Sequence, residues 1–180
     1  MLELSLNILD IAQNSIKAKA TRLEIDILED FQDNLLTITI QDNGCGMSEE
    51  FLRNVTNPFT TTRTERKVGL GLPFFKQAAE DTGGSLTIKS EVGVGTSVIA
   101  TFTHDHIDRQ PLGDIAGTIF SIVSMNPMLA LYYKHVVNGE TFIFDTEEVR
   151  GVLGDVPLDS LDVLLWIQGY LNEGINNLYE

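Results

Sequence analysis

Two segments, Asp42-Asn-Gly-Cys-Gly46 and Thr60-Thr-Thr-Arg-Thr-Glu-Arg-Lys-Val-Gly-Leu-Gly71, indicate the fold and the candidate site of this chain. In the first, an acidic residue opens a glycine turn. In the second, a loop rich in threonine and cations leads into a glycine pair that opens a helix. Glycines let backbone amides approach an anion closely, and a helix N-terminus offers unpaired N–H groups with a favourable dipole. The loop cations Arg63, Arg66 and Lys67 therefore predict a polyanionic ligand.

The composition is that of a folded protein. The chain has 180 residues, of which 43% are hydrophobic, enough for one well-packed domain or for one domain with a small appendage. No apolar run reaches the ~18 residues that a membrane helix needs, and the N-terminal residues show no signal-peptide pattern. Cys45 is the single cysteine, so no internal disulfide forms, and no Cys/His cluster has metal-ligand spacing. We expect a cytoplasmic protein without a membrane partner.

The charge is unevenly distributed along the chain. Lys and Arg number 12 against 26 Asp and Glu, a net charge of −14. Residues 1–103 carry 9 cations against 14 acidic residues, whereas residues 104–180 carry 3 against 12. Binding to a phosphate backbone depends on clustered Lys and Arg, so this balance argues against a nucleic-acid partner.

Hydrophobic periodicity predicts an α/β arrangement in the first hundred residues. Residues 3–19 have helical spacing, with a polar stripe (Asn7, Asp10, Asn14 and Lys17) between two apolar flanks. The other predicted elements are an antiparallel hairpin of strands 22–29 and 35–41, a short helix from Ser48 to about Thr56, a loop at 57–68, a helix from about Leu70 to Asp81, and strands 85–90 and 96–103. This order predicts helices layered on one face of a mixed sheet.

The remaining residues predict an acidic C-terminal extension. Gln110-Pro-Leu-Gly113 marks a boundary, and we divide the chain into residues 1–104 and an α+β extension at 105–180. The expected elements of the extension are a helix at 114–125, a hairpin at 129–144 and helices at about 145–153 and 159–178. The hairpin turn is placed at Asn138-Gly139, because Asn-Gly between β-type runs is a strong hairpin signal.

Five sequence elements, in order, resemble those of the GHKL superfamily, the ATP-binding fold shared by histidine kinases, gyrase-type topoisomerases and mismatch-repair ATPases. Asp10–Ala18 resembles the N box, Asp42–Met47 the G1 box, Asn57–Thr62 the F box, Gly69–Leu72 the G2 box and Gly93–Thr96 the final glycine–threonine element. The resemblance covers roughly residues 3–103 and is closest to the histidine-kinase branch. It implies a Bergerat-type two-layer α/β sandwich, a mixed sheet covered by helices on one face.

The resemblance also implies a role for individual residues in holding ATP and Mg²⁺. Asn14 would ligate Mg²⁺ through its amide oxygen, and Lys17 would reach a phosphate oxygen. Asp42 would accept a hydrogen bond from the adenine N6 amino group, with Thr96 supporting the same edge through water. The implied nucleotide-binding residues are Asn14, Lys17, Asp42, Gly44, Gly46, Thr62, Arg63, Arg66, Lys67, Gly69, Gly71 and Thr96. The loop Thr60–Val68 would be the ATP lid, its cations neutralising the phosphates.

Two positions depart from the family pattern. ATP-hydrolysing relatives usually carry Glu where this chain has Asp10, as the base that orients water. Aspartate is one methylene shorter, and a misplacement of about an ångström can cost on the order of 100-fold in rate. Histidine kinases often carry a further glycine where this chain has Lys67, which bears on the lid geometry. We therefore expect ATP binding and leave hydrolysis open.

The sequence leaves three functions open for such a domain. The first is a phosphotransferase that passes the γ-phosphate to a residue on a partner protein. The second is a slow ATPase in which Asp10 is the catalytic residue and the lid closes on ATP. The third is a nucleotide sensor that binds partners differently with ATP and with ADP. For the partner, a second copy of the chain, forming a homodimer, is an alternative to a different protein.

Each candidate feature also has a structural interpretation. The polar stripe is also typical of a solvated helix face, Asp10 of a surface carboxylate, and Asp42 of a turn initiator before Asn-Gly. His104, His106 and His135 belong to no recognisable phosphoacceptor helix, and we expect them to be structural or surface residues. The apolar positions of the Trp166 helix most simply pack on their own domain, with a partner-docking face as the alternative.

Overall fold

In the computed structural model, residues 3–57 and 71–180 are described. The elements, numbered in chain order, are α1 (Leu4–Lys17), β1 (Arg22–Asp30), β2 (Leu35–Asp42), α2 (Glu49–Asn54), α3 (Gly71–Glu80), β3 (Ser85–Glu91), β4 (Gly95–Thr103), α4 (Ile115–Met125), β5 (Ala130–Val137), β6 (Glu140–Asp145), α5 (Thr146–Leu153) and α6 (Leu161–Asn177). The strands form one six-stranded mixed sheet in the order β3-β4-β2-β1-β5-β6.

One face of the sheet is apolar because buried residues alternate along its central strands. In β1, Leu23, Ile25 and Ile27 are buried, and Ile25 lies opposite Ile40 of β2 across the antiparallel pair. Helices α1, α3, α4 and α6 pack over this face and against one another, so that the core lies between the two layers. The predicted two-layer α/β sandwich is therefore confirmed.

The C-terminal residues extend the sheet of the first hundred residues. Strand β5 pairs with β1 in parallel, from Arg22↔Ala130 to Glu29↔Val137. Strand β6 returns antiparallel to β5, with the turn at Asn138-Gly139 as predicted. The same apolar core continues beneath these strands. As a functional division, the boundary between residues 1–104 and 105–180 remains a prediction.

The predicted elements occur in the described residues with ends displaced by one or two positions. Local capping explains several of the helix starts. Ser48 Oγ accepts a hydrogen bond from the Phe51 amide (3.2 Å), and Asp114 Oδ1 accepts one from the Gly117 amide (2.8 Å). Apart from Asn57, the loop predicted at 57–68 lies outside the described residues. Within the described ranges, no helix is both long enough and apolar enough to cross a membrane.

Candidate functional site

The polar stripe of α1 is the first part of the candidate site. Asp10 and Asn14 are half-buried, and Lys17 is exposed at the C-terminal end of the helix. Within residues 3–57 and 71–180, none of these three side chains has a hydrogen-bond or ion-pair partner. The oxygens of Asp10 and Asn14 are therefore not engaged by the described part of the protein and remain accessible to a ligand or to solvent.

Asn7, the first residue of the stripe, lies deeper in the protein than the other three. Its side chain is 1% exposed, and both its Oδ1 and Nδ2 atoms lack a hydrogen-bond partner. A buried amide in this state costs about 1–3 kcal/mol. Nothing among the described residues explains why an amide is placed there.

The N-terminus of α3 lies directly against Asp10. A Cβ atom built on Gly71, the first residue of α3, would lie 3.0 Å from Asp10 Cβ and 3.6 Å from Asp10 Oδ2. A residue without a side chain is therefore needed for α3 to begin this close to α1. The first residue of α3 therefore lies against the polar stripe of α1.

Asp42 forms the second part of the site. It is the last residue of β2 and points to the helix-covered face, because it pairs with Leu23 of β1 on that face. Its Oδ2 accepts a hydrogen bond from Ser15 Oγ of α1 (2.5 Å). Its Oδ1 accepts from the backbone amides of Gly44 (2.9 Å) and Thr96 (3.3 Å). Donors from a helix, a turn and a neighbouring strand thus fix the orientation of this carboxylate.

Two serines in this region were missed by the sequence analysis. Ser15, which holds Asp42, follows Asn14 directly on α1 and is buried. Ser90 accepts a hydrogen bond from the Met47 amide (2.8 Å), and its Oγ lies 2.8 Å from Thr96 Oγ1. The adjacency of Ser15 to Asn14 was a usable signal. For Ser90 there was none, because its contact with Met47 spans 43 positions and no motif includes it.

The turn after Asp42 is fixed by contacts with protein. The Cys45 amide donates to the carbonyl oxygen of Ala18 at the end of α1 (2.9 Å). A Cβ on Gly46, whose φ is 71°, would lie 2.0 Å from the carbonyl oxygen of Glu91. A Cβ on Gly44 would lie 2.9 Å from the same Ala18 oxygen. Packing against backbone is thus enough to require both glycines, and their contact with a purine remains a prediction.

The structure groups the predicted site residues into two neighbouring sets. Asp10 lies with Gly71, and Asp42 lies with Gly44 and Thr96, while Asn14 sits between them on α1. About 6 Å of helix axis separates Asp10 from Asn14, and Asn14 immediately precedes the serine that contacts Asp42. Outside the described residues lie Thr62, Arg63, Arg66, Lys67 and Gly69. The lid and its cations therefore stay predictions.

Comparison with known proteins shows the family of this chain. Residues 2–106 match the family model described as Histidine kinase-, DNA gyrase B-, and HSP90-like ATPase. The chain belongs to this family. The assignment made from five sequence elements is therefore confirmed, and the matched residues form an ATP-binding domain of histidine-kinase type.

Relatives in this family include bacterial sensor kinases. Sporulation kinase D of Bacillus subtilis is 36% identical over 94 residues, which are 52% of this chain and 18% of that protein. The tetrathionate sensor histidine kinase of Salmonella typhimurium is 33% identical over 113 residues, 61% of this chain and 18% of that protein. The chain thus spans less than a fifth of the length of these relatives.

Solved structures show the same fold at lower sequence identity. The ATPase domain of MutL from Aquifex aeolicus, complexed with ADP, is similar with a TM-score of 0.53 and 18% identity. The match covers 84% of this chain and 69% of that one, so it extends beyond residue 106 of this chain.

A second cluster of polar side chains lies at the opposite end of β1. Glu29 is 4% exposed, and its Oε2 accepts a hydrogen bond from His104 Nε2 (2.8 Å). Its Oε1 accepts from His135 Nε2 (2.8 Å) and from the Tyr179 hydroxyl. Tyr133 OH lies 2.8 Å from the other ring nitrogen of His135, Nδ1. His104 and His135 thus bind a buried carboxylate, which agrees with the structural role expected of these two histidines.

Burial and hydrogen bonding act in opposite directions on the Glu29 carboxylate. Burial raises its pKa, but the hydrogen bonds from His135, His104 and Tyr179 outweigh burial and lower the pKa to about 2. Burial, together with the neighbouring Glu29 charge, raises the pKa of Tyr179 above its ordinary value. The cluster therefore holds a charged carboxylate among two imidazole donors and one hydroxyl donor.

Proposed function

We propose that this chain is a Mg·ATP-binding regulatory domain that acts as a phosphotransferase on, or through, a partner protein. The observation that carries the proposal is that Asp42, held by three donors, is bonded to α1, the helix on which the Asp10 and Asn14 oxygens have no partner among the described residues. Membership of a kinase-containing family and the fold of an ADP-bound ATPase domain support it. The proposal places the activity in the cytoplasm, where ATP is available.

Adenine selectivity follows from the charge of Asp42. Ser15 occupies one direction on Oδ2, and a carboxylate oxygen accepts from more than one donor. The adenine N6 amino group is a donor and would bind there. Guanine presents the O6 acceptor at the same edge, and an acceptor facing an anion loses about 1–3 kcal/mol.

The donor set of α1 fits magnesium. The Asn14 amide oxygen and the Asp10 carboxylate are four residues apart on one helix face, and both are oxygen ligands. Magnesium usually keeps several waters and takes only one or two protein ligands beside phosphate oxygens. Asn14 would hold the ion and Lys17 would bind a phosphate oxygen. When bound, Mg²⁺ offsets the negative charge of the β- and γ-phosphates.

Calorimetric titration with ATP in the presence and absence of Mg²⁺ tests the site. We expect saturation at micromolar to millimolar ATP that depends on Mg²⁺. Asn14→Ala should abolish the Mg²⁺ dependence without unfolding the domain, whereas Gln13→Ala, an exposed neighbour on α1, should leave it unchanged. Binding that ignores Mg²⁺ in the natural chain would contradict the assignment.

A slow ATPase is the second candidate, favoured by the position of Asp10 against the first residue of α3. Steady-state phosphate release from the natural chain, Asp10→Glu and Asp10→Asn separates the two. A gain in Asp10→Glu and a loss in Asp10→Asn would support hydrolysis limited by the shorter side chain. With no release from any variant, transfer of label from γ-labelled ATP to a protein in a cognate cell extract is the test of the first candidate.

A further inference from the structure

Helix α6 has two different apolar faces. The inner face is buried against α4 and β6 and consists of Val163, Ile167, Leu171 and Ile175. On the other side, Leu161 is 72% exposed, Leu165 58%, Trp166 52% and Tyr170 40%. These four residues, with Gly169, recur at helical spacing and form one surface, which we term the outer α6 face. The expectation that the helix packs only on its own domain holds for the inner face alone.

The aromatic side chains of the outer α6 face are held in place. Trp166 stacks on Tyr170, with ring centroids 5.0 Å apart and planes 14° from parallel. The Tyr170 ring also packs on Phe142 of the edge strand β6 (5.2 Å), and its hydroxyl donates to the Ile143 carbonyl oxygen (3.4 Å). Rigid aromatic anchors of this kind lose little conformational entropy when they bind a partner.

The centre of the face is open to close approach. A Cβ atom built on Gly169 would have no heavy atom within 4 Å. Glycine in a helix interior costs about 1 kcal/mol relative to alanine, and no contact among residues 3–57 and 71–180 requires it here. The gap between Leu165 and Tyr170 therefore offers a partner direct access to the helix backbone.

The surroundings of the outer α6 face are uniformly acidic. Residues 151–180 contain no Lys, Arg or His and five acidic residues: Asp155, Asp159, Asp162, Glu173 and Glu180. Asp162 lies one turn before Trp166, and Glu173 lies one turn after Gly169, so the two exposed carboxylates bracket the face. Arg150, which precedes this stretch, is held by Glu147 and by the carbonyl oxygens of Pro127 and Leu129.

We propose that the outer α6 face binds a basic amphipathic helix of a partner protein. Its apolar side would cover Leu165, Trp166 and Tyr170, and its Lys or Arg residues would face Asp162 and Glu173. The acidic surroundings of the face favour a basic partner helix over a second copy of this chain or an anionic membrane surface. A second copy of this chain would place acidic residues against acidic residues, and an anionic membrane surface would be repelled. The surface supplies a partner class for the proposed function, but its occupation does not depend on nucleotide.

Trp166 is the only tryptophan of the chain, so its fluorescence reports on this face directly. The probes are three 16-residue peptides without tryptophan. The first places Leu and Lys on opposite sides of a helix, the second replaces Lys by Glu, and the third scrambles the first. We expect the first peptide to shift Trp166 emission to shorter wavelength and to saturate at micromolar concentration, at least tenfold below the other two.

Three outcomes would overturn the proposal. Absence of any shift with the first peptide excludes the site. Equal binding of the scrambled peptide shows that charge alone attracts it. A shift with vesicles containing anionic lipid, or self-association that Gly169→Arg abolishes, assigns the face to a membrane or to a second copy.

Substitutions locate the binding with a fluorescein-labelled version of the first peptide. Asp162→Lys combined with Glu173→Lys should weaken binding at least tenfold, as should Gly169→Arg. The control, Asp33→Lys with Glu50→Lys, makes the same change in net charge at exposed positions outside α6. Equal losses in both double variants would overturn the proposal. Circular dichroism of the same samples checks folding, and absence of ATP binding by folded samples would count against the nucleotide site only.

Discussion

Two carboxylates on neighbouring strands of this protein have opposite surroundings. Asp42 on β2 and Glu29 on β1 both point to the helix-covered face, at opposite ends of the paired strands, opposite Leu23 and Leu36 respectively. Asp42 is half-buried and is held by Ser15 and two backbone amides. Glu29 is almost fully buried and is held by side chains that the chain supplies after residue 103.

The difference shows how partners and exposure separate a binding carboxylate from a structural one. Backbone amides fix Asp42 without enclosing it, so that its charge stays accessible to a ligand. Two histidines and a tyrosine enclose Glu29. Its hydrogen bonds therefore join β1 to β5 and to the residues after α6. Changes at Glu29 should therefore alter stability, whereas changes at Asp42 should alter nucleotide binding.

The largest effect is expected from Glu29→Gln. Glutamine keeps one acceptor oxygen and replaces the other by an NH₂ group, which would face either His104 or the pair His135 and Tyr179, and these groups already donate. Breaking a buried charged network from one side costs about 3–5 kcal/mol of the free energy of unfolding. Urea denaturation at neutral pH measures it. Glu24→Gln, on the open face of the same strand, should cost less than about 1 kcal/mol because its ion pair with Arg22 is exposed. Similar losses in the two variants would contradict a special role for Glu29.

Acid should remove the contribution of Glu29 in a defined pH window. The pKa of Glu29 in the folded protein is about 2, below the ordinary value of 4.5. A lowered folded-state pKa gives stability that is complete above pH 4.5 and is lost as the pH falls towards 2, up to about 3 kcal/mol here. Denaturation from pH 6 to pH 2.5 should show a weaker pH dependence in Glu29→Gln than in the natural chain. Parallel curves would show that other carboxylates cause the acid sensitivity.

Asp42→Asn should weaken ATP binding while sparing the fold. Asparagine keeps an Oδ1 acceptor for the amides of Gly44 and Thr96, and its Nδ2 can donate to Ser15. Its N–H group would then face the adenine N6 donor, which costs about 1–3 kcal/mol, or roughly 10- to 100-fold in affinity. Calorimetry with ATP and GTP measures both affinity and selectivity, with Asp33→Asn as the control. An unchanged ATP-to-GTP ratio would remove the adenine assignment.

The smallest effect is expected from Ser15→Ala. It deletes one hydrogen bond to Asp42, worth about 0.5–1.5 kcal/mol, so ATP affinity should fall by roughly three- to tenfold. In Asp42→Asn the same substitution should add little, because the two residues act through one contact. Additive losses in this double-mutant cycle would show that Ser15 supports the site independently of Asp42.

Much of the candidate nucleotide site was predictable because the sequence signals for it are local. Periods of two and of about 3.6 residues determine strands and helices over short windows, and the Asp42 turn and the α1 stripe each lie within ten residues. The sequence analysis therefore named Asp10, Asn14, Asp42 and Gly71 before any contact was known. The position of Ser15 beside Asn14 indicated that it lies near the site, but its bond to Asp42, 27 residues away, was visible only in the structure.

The sequence by itself determined the order of the elements, the family and the residues that its motifs contain. Only the tertiary structure decided that residues 130–145 join the same sheet, that Glu29 meets His135 across 106 positions, and that α6 leaves Trp166 exposed beside β6. The reason is that periodicity and turn chemistry act between near neighbours. Strand pairing and helix packing depend on which apolar surfaces, far apart in the sequence, come into contact when the chain folds.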